Sequence, residues 1–345
     1  MVVTDAHWLE AGSNRVGLET DVGHLTGLCL DGRAPLHAVP WRGEPDVQAD
    51  DAIPLVDRRL SEDFFAMPFG GEGAGPPHGP CAQSPWDHRG RNNGVDWFDL
   101  RTPVLGARLC KGLALSEEAP ILKQCHVIEG GSGAASLAHH PMVHMQDGGR
   151  IFTSAKRRVM TPQTALEAGK NWLPSGQTAT AFGAFHGFDL TRYPDQVTED
   201  FVVCVEEPGN DLGWTAVMRE AERDIVLILK RPAQLPITML WYSNGGRSAR
   251  PWNGRHRGVL GVEDGCAAAL VGDALRAAGV PTAYALGPTH VIDHAIVSLA
   301  WPQGWSGISD VTLENEALRI VGDDKRAVCL PFGSWISQSD LLAPP

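Results

Sequence analysis

The sequence predicts an all-β protein, a large antiparallel sandwich or barrel, on three observations. Short apolar runs recur along nearly the whole chain. Turn formers punctuate them: 39 glycines and 25 prolines occur in 345 residues, about 19% against a usual ~12%. Only one stretch holds a sustained helical pattern. Length alone suggests about two domains, but one all-β core can absorb roughly 200–250 residues or more. No internal repeat or low-complexity linker divides the chain, so a single domain over 1–345 is expected.

Taken in order, residues 15–30 (RVGLETDVGHLTGLCL) break at Gly23 and read as two strands before an Asp31-Gly32 turn. Further strands are expected at 104–115, 120–128, 134–139, 151–159, 178–185 and 201–205. The series resumes at 225–229, 237–242, 259–262, 289–299, 310–313, 317–321 and 327–331. Residues 264–279 (DGCAAALVGDALRAAG) are the helical stretch, with Leu270, Val271, Ala274, Leu275 and Ala278 on one face. Asp264 is placed to cap its start, and Gly279 with Pro281 ends it. A second short helical turn is expected near 218–223. Residues 70–93 read as a long loop, and their His, Trp and Arg content marks it as functional.

Composition excludes several classes. With 29 basic and 41 acidic residues the net charge is −12, so nucleic acid and anionic membrane surfaces are not expected partners. No run approaches the ~20 apolar residues of a membrane helix, and Asp5 and Glu10 interrupt any signal-peptide pattern. Seven single cysteines without a CxxC pair make neither a disulfide framework nor a thiolate zinc site, and they suit the cytoplasm. No phosphate-loop or dinucleotide fingerprint occurs. Neither cofactor nor metal is expected.

Three clusters could carry chemistry. Residues 75–98 bring His78, Trp86, His88, Arg89, Arg91, Asn92, Asn93 and Trp97; polar groups beside indole faces suit the hydroxyls and C–H face of a sugar. Residues 137–145 (LAHHPMVHM) hold His139, His140 and His144. In a strand His140 and His144 share a face and His139 is opposite; Pro141 opposes the helix that would let the first two grip zinc. Imidazole titrates near neutral pH and suits a general acid or substrate ligand. Residues 240–267 run from Trp241 through Arg247, Arg250, Arg255 and Arg257 to Glu263, which a following helix would stabilise as the anion. Arginine forks suit the carboxylate, phosphate or sulfonate of an anionic sugar. Taken singly, each cluster is also open to a structural reading: buried indoles, hydrogen-bonded core histidines, a helix-cap charge and a solvated loop.

In order and spacing these clusters resemble the aldose 1-epimerase (galactose mutarotase-like) superfamily over nearly the whole chain. RVGLETDVGHLTGLCLDG resembles its first hairpin, PPHGPCAQSPW its His-Gly loop, LAHHPMV the strand end with a histidine, and GVEDGCA the late segment with an essential glutamate. The resemblance implies a β-supersandwich with one or two short helices. It also implies Glu263 as base, His140 as acid and His78 as a second histidine orienting the sugar, without metal or cofactor. Around them Trp86, Arg91, His139, His144, Trp241, Arg247 and Arg257 are the expected sugar contacts. Part of the Trp surplus (Trp86, Trp97, Trp241, Trp252) is assigned to stacking, and Trp172, Trp214, Trp301 and Trp305 to packing. The sequence departs from the family where an Arg often follows His-Gly, with Gln83 near that place. It leaves open whether His139 or His140 faces the cleft, and neither Asp195 nor Asp200 matches the family's sugar-binding acid. The expected function is a mutarotase acting on a free or modified sugar, anionic ones included, as a monomer or homodimer. The alternative is a non-catalytic carbohydrate-binding or sensing protein of the same fold.

Overall fold

A computed structural model describes residues 6–71 and 75–341. Two eight-stranded antiparallel sheets carry the fold. Across the first run Thr178–Ala179, Lys156–Met160, Thr198–Glu206, Ile237–Asn244, Val259–Cys266, Leu137–His139 and Phe65–Ala66. Met142–His144 also pairs with Val259–Cys266. Across the second run Gly149–Thr153, Gly213–Arg219, Asp224–Lys230, Tyr284–Ala300, Ile121–Ala135, Ala107–Leu115, Val95–Leu100 and Trp86–Asn92. The facing sides meet over Val202, Leu240 and Val262 from the first sheet and Leu122, Val226 and Ile292 from the second.

Both outer faces are covered as well. A three-stranded sheet, Ile308–Glu314, Ala317–Gly322 and Ala327–Pro331, packs Val311, Leu318 and Ile320 against the outside of the second sheet. Residues 36–70 and 267–280 cover the outside of the first through Trp41, Val56, Phe64, Ala269 and Leu275. Every residue of Asp224–Lys230 and of Val259–Cys266 is therefore buried. That double burial explains why IVLIL reads as a continuous apolar run rather than as alternation. Each expected strand coincides wholly or in part with an observed one.

The expected helix is much shorter than its pattern: only Gly272–Ala277 is helical. The preceding strand runs on to Cys266, pairing Glu263 with Met239 and Asp264 with Thr238. Sheet pairing has overridden the alanine-rich propensity. Asp264 caps nothing, and Glu263 gains nothing from a helix dipole. Residues 218–223 are the end of the strand Gly213–Arg219 and a turn, not a helix. The 70–93 loop is interrupted by a 3₁₀ turn at Pro80–Ala82, and strand begins at Trp86. Among the described residues no helix is long and apolar enough to cross a membrane.

A string of buried polar groups lies between the two large sheets. Asp264 accepts from Thr238 Oγ1 (2.7 Å) and pairs with Lys230 (3.1 Å) and His294 (3.3 Å). Lys230 also reaches Glu206 (3.2 Å), which pairs with Lys156. His294 stacks on His139 with centroids 4.0 Å apart, and His139 Nδ1 lies 3.3 Å from Asp63. Desolvation alone would raise the two aspartates; their partners win, and both are held far below the usual carboxylate range.

Burial also pushes His24 down to about 3, and His37 and His139 down to about 4. Their folded values lie below the unfolded one, so their stabilisation is complete above pH ~6.5 and drains away towards pH 4, at up to about 1.4 kcal/mol per pH unit each. Urea midpoints are expected to fall steadily from pH 6.5 to 4.5. Midpoints flat across that window would contradict the buried neutral histidines.

Candidate functional site

Register places the chemistry. Ala138 pairs with Gly265 and Met142 with Gly261. One residue inward from Ala138 puts His139 opposite Asp264, two put His140 opposite Glu263, and counting back from Met142 agrees. Alternation then sends the two pairs to opposite faces. His139 and Asp264 enter the buried string between the sheets, while His140 and Glu263 face the cover. His140, not His139, is the cleft histidine.

His140 Nε2 lies 3.2 Å from Glu263 Oε1. The imidazole stacks on Phe64 (4.6 Å between centroids) and meets Trp241 edge-on (5.7 Å), while its backbone N–H donates to Asp63 Oδ1 (2.9 Å). A Cβ on Gly261 would stand 3.0 Å from Glu263 Oε1 and 3.0 Å from Trp241 Cβ, so glycine there leaves the carboxyl its space. Burial pushes Glu263 up to about 8 against the pull of Arg247, and pushes His140 down to about 4. At neutral pH the pair therefore holds one proton between two atoms in contact.

His78 joins them from the His-Gly loop. Its backbone N–H donates to Gly70 O (2.6 Å), and its Nδ1 accepts from Gly70 N–H (3.3 Å). A neutral ring so held carries its proton on Nε2. Burial, reinforced by His140 and Arg247, holds it well below the ordinary imidazole value. Its ring meets that of His140 edge-on at 5.4 Å. Gly79 has φ +68°, and a Cβ there would collide with the Met67 carbonyl, which is why glycine follows the histidine.

Arg247 closes another side. Its Nε donates to Glu199 Oε1 (2.9 Å), and its guanidinium lies over Trp241 (4.8 Å) and Trp252 (4.5 Å). Glu199, wholly buried, also accepts from Trp241 Nε1 (2.6 Å) and Ser243 Oγ (3.1 Å). Arg247, Trp241 and Trp252 border, with His78, His140 and Glu263, a cavity of about 450 Å³ that also takes in Asp57, Phe69 and Phe201.

Five of the ten expected site residues line this cavity: His78, His140, Glu263, Trp241 and Arg247. The other five do not. Trp86 is buried beneath Lys111 (4.8 Å) with Nε1 donating to Cys81 O (3.0 Å), so it packs rather than stacks on a ligand. Arg91 stands 3.6 Å from Asp96 on the edge strand of the second sheet. His139 points inward. His144 and Arg257 line a separate cavity of about 530 Å³ together with Asp195 and Asn244. Gln83 ties the loop down, donating to Pro77 O and accepting from Val56 N–H (3.3 Å). Trp97 is wholly buried. Asp200 accepts the backbone N–H groups of Trp172 (2.7 Å) and Leu173 (2.9 Å). Sequence reasoning missed Glu199 and Asp57; neither sits in a recognisable motif, and Glu199 reaches Arg247 only because Thr198–Glu206 pairs with Ile237–Asn244.

Two groups bring possible metal ligands together among the described residues, Asp63 with His139 and His294, and His7 with His88 and Asp96. The rings of His139 and His294 are stacked 8° from parallel, so their in-plane lone pairs do not converge on one ion. His7 and His88 both direct Nε2 to Asp96 Oδ1, at 3.2 and 3.1 Å, and also stack.

No family profile and no curated protein matches the sequence. Solved structures do match the fold. One is an Escherichia coli K12 protein provisionally described as an aldose 1-epimerase, with TM-score 0.60 and 14% identity over 86% of this chain and 99% of that one. The fold is galactose mutarotase-like. A galactose 1-epimerase from Lactobacillus acidophilus matches at TM-score 0.54 and 10% identity, over 86% of this chain and 99% of its own. A galactose mutarotase-like protein from Lactobacillus casei gives TM-score 0.54 and 10% identity, over 86% and 100%. At these identities the likeness is one of fold. The expected β-supersandwich is thus the observed one, with His78, His140 and Glu263 gathered on the outer face of its first sheet.

The shared proton is measurable. Raising pH through about 8 should remove it, bleaching a protonated-carboxyl infrared band that Glu263→Gln lacks throughout. A carboxylate band from Glu263 already complete at pH 6 would refute the assignment.

Proposed function

We propose that the protein is an aldose 1-epimerase-like enzyme that interconverts the anomers of a reducing sugar. The observation carrying this reading is the Glu263–His140 contact of 3.2 Å beside His78, inside a cavity walled by Trp241 and Trp252. Anomerisation needs a base at the C1 hydroxyl and an acid at the ring oxygen. Both oxygens sit on one carbon, so two adjoining side chains can reach them together.

Glu263 takes the O1 proton, and the electrons form C1=O as the C1–O5 bond breaks. His140 delivers its proton to O5. The open chain turns about C1–C2, and the reverse transfers close the ring on the other carbonyl face. The pair starts as carboxylate and imidazolium and ends as carboxylic acid and imidazole, with one proton throughout. Burial favours the uncharged arrangement, and the Arg247 cation favours the charged one, so neither is remote from the other. His78 Nε2–H, Arg247 and Asp57 remain to hold hydroxyls, and the indoles offer a face to the C–H side of the ring.

Anomer exchange followed by NMR tests this. Glu263→Gln and His140→Asn should each slow exchange by about 10²-fold or more, with kcat/KM for the wild type level between about pH 4 and 8 and falling outside that window. Exchange unaltered by both substitutions would transfer the site to the non-catalytic sugar-binding reading.

A further inference from the structure

We propose that the sugar is neutral and carries an apolar group away from its anomeric carbon, as a deoxy or O-alkylated reducing sugar does. This rests on the epimerase reading and names its substrate class. The first observation concerns charge. Of the four arginines at 247–257, Arg250 pairs with Asp46 (3.0 Å) and Asp50 (3.4 Å), and Arg255 grips Glu44. Arg257 donates to Gly254 O (2.8 Å) and faces the other cavity. Only Arg247 reaches the site, and Glu199 already opposes its charge at 2.9 Å. Among the described residues no lysine lines the cavity, and Asp57 does. A phosphate or sulfonate would find one cation already paired, beside a carboxyl group. The arginine-rich loop thus gives no support to the anionic sugar that its composition suggests.

The second observation concerns layout. The sheet order sets Phe201, Trp241 and Glu263 on three successive strands, with His140 just past the end of the next, Leu137–His139, about 14 Å across at ~4.8 Å per strand. His78, His140 and Glu263 gather at one end, and Arg247, held by Glu199 of the Phe201 strand, stands over Trp241 and Trp252. Towards the other end stand Phe201 and Leu166, with Leu60, Ala269 and Leu270 completing apolar stretches of the wall. Leucine side chains offer no flat platform for stacking and no partner for hydroxyls. A sugar hydroxyl desolvated against them forfeits its bonds to water, whereas a methyl or alkyl group gains by burial.

The third observation is local. Leu270 is 62% exposed yet lines the cavity, and it and Ala269 both hold left-handed φ values, +61° and +50°. Two successive non-glycine residues in that region are costly. The chain spends this strain to set an otherwise solvated leucine at the mouth of the site.

The test is anomer exchange on matched series of glucose and galactose: the parent sugar, 2-deoxy, 6-deoxy and 3-O-methyl forms, and the 6-phosphate. At least one deoxy or methylated member should exceed its parent in kcat/KM by about tenfold, and each 6-phosphate should fall below its parent. Leu270→Asn, which keeps a residue tolerant of left-handed φ, should reduce the ratio of modified to parent kcat/KM. Parents or phosphates leading both series, or a ratio untouched by Leu270→Asn, would overturn the proposal. Where no sugar exchanges, calorimetric titration separates the two readings. Tighter binding of modified sugars than of parents keeps this proposal while the epimerase chemistry falls, and no such preference sinks both.

Discussion

The structure depends on one register, that of residues 137–144 against the strand Val259–Cys266. Each segment contributes an adjacent pair, His139-His140 and Asp264-Glu263, and alternation must send one of each pair inward. The inward residues find partners built for them: Asp264 meets Lys230, Thr238 and His294, and His139 meets Asp63. A slip by one residue would reverse the faces. Glu263 would then enter the polar string with the wrong length, and Asp264 would face the aromatic cover, away from Lys230, Thr238 and His294. The buried charges thus specify the register, and the register assembles the site on the other face. Asp63 joins the two directly, holding His139 through its ring and His140 through its backbone.

Desolvation decides how the outward pair behaves. In water a glutamate and a histidine a few ångströms apart would be an ordinary ion pair. Here the cover removes water from both, so the neutral form of each gains, while Arg247 acts in the opposite sense on Glu263. Glu199 tempers that action by holding the guanidinium. A fully unopposed cation would fix Glu263 as the anion and forfeit the ease of moving a proton across 3.2 Å. Proton balance at Glu263 is therefore set first by burial and then by Arg247, whose guanidinium is held by Glu199 two strands away.

Much of the fold was legible because strands in a large sandwich announce themselves by apolar runs and turn residues. The hairpin at 15–30 is such a case, observed as Asn14–Glu19 and Leu25–Cys29. The 264–279 helix was misread because alanine-rich propensity is local, whereas the pairing that draws Asp264 into the sheet is not. Glu263, His140 and His78 were reachable from short motifs whose order carried the information. Trp86 and Arg91 share a motif-rich stretch with His78, yet their strand belongs to the second sheet, and proximity in sequence said nothing of that. Glu199 had no signal at all, since its role exists only across the ladder to Ser243.

The arginine-rich loop shows how charge composition misleads when its geometry is unknown. Arg250 and Arg255 reach over to Asp46, Asp50 and Glu44, which lie in and around the short helix Pro45–Gln48 of the cover. Arg255 also spreads over Trp41, whose ring packs against Trp252 (5.0 Å). From the other side Arg59 ties the cover to Glu19 on the first strand of the 15–30 hairpin and to Asp21 in the turn between its strands. The cover is hydrogen-bonded to the segment 137–142, as from His37 N–H to Met142 O and from Met142 N–H to Glu62 O, and these ionic ties at its margins add to that and to the apolar packing at its centre. Its closeness matters chemically, because the same layer that supplies Phe64 and Phe69 to the cavity also keeps water from Glu263. Arg250 and Arg255, which look like substrate ligands in the sequence, thus tie the margin of the roof instead of lining the cavity beneath it.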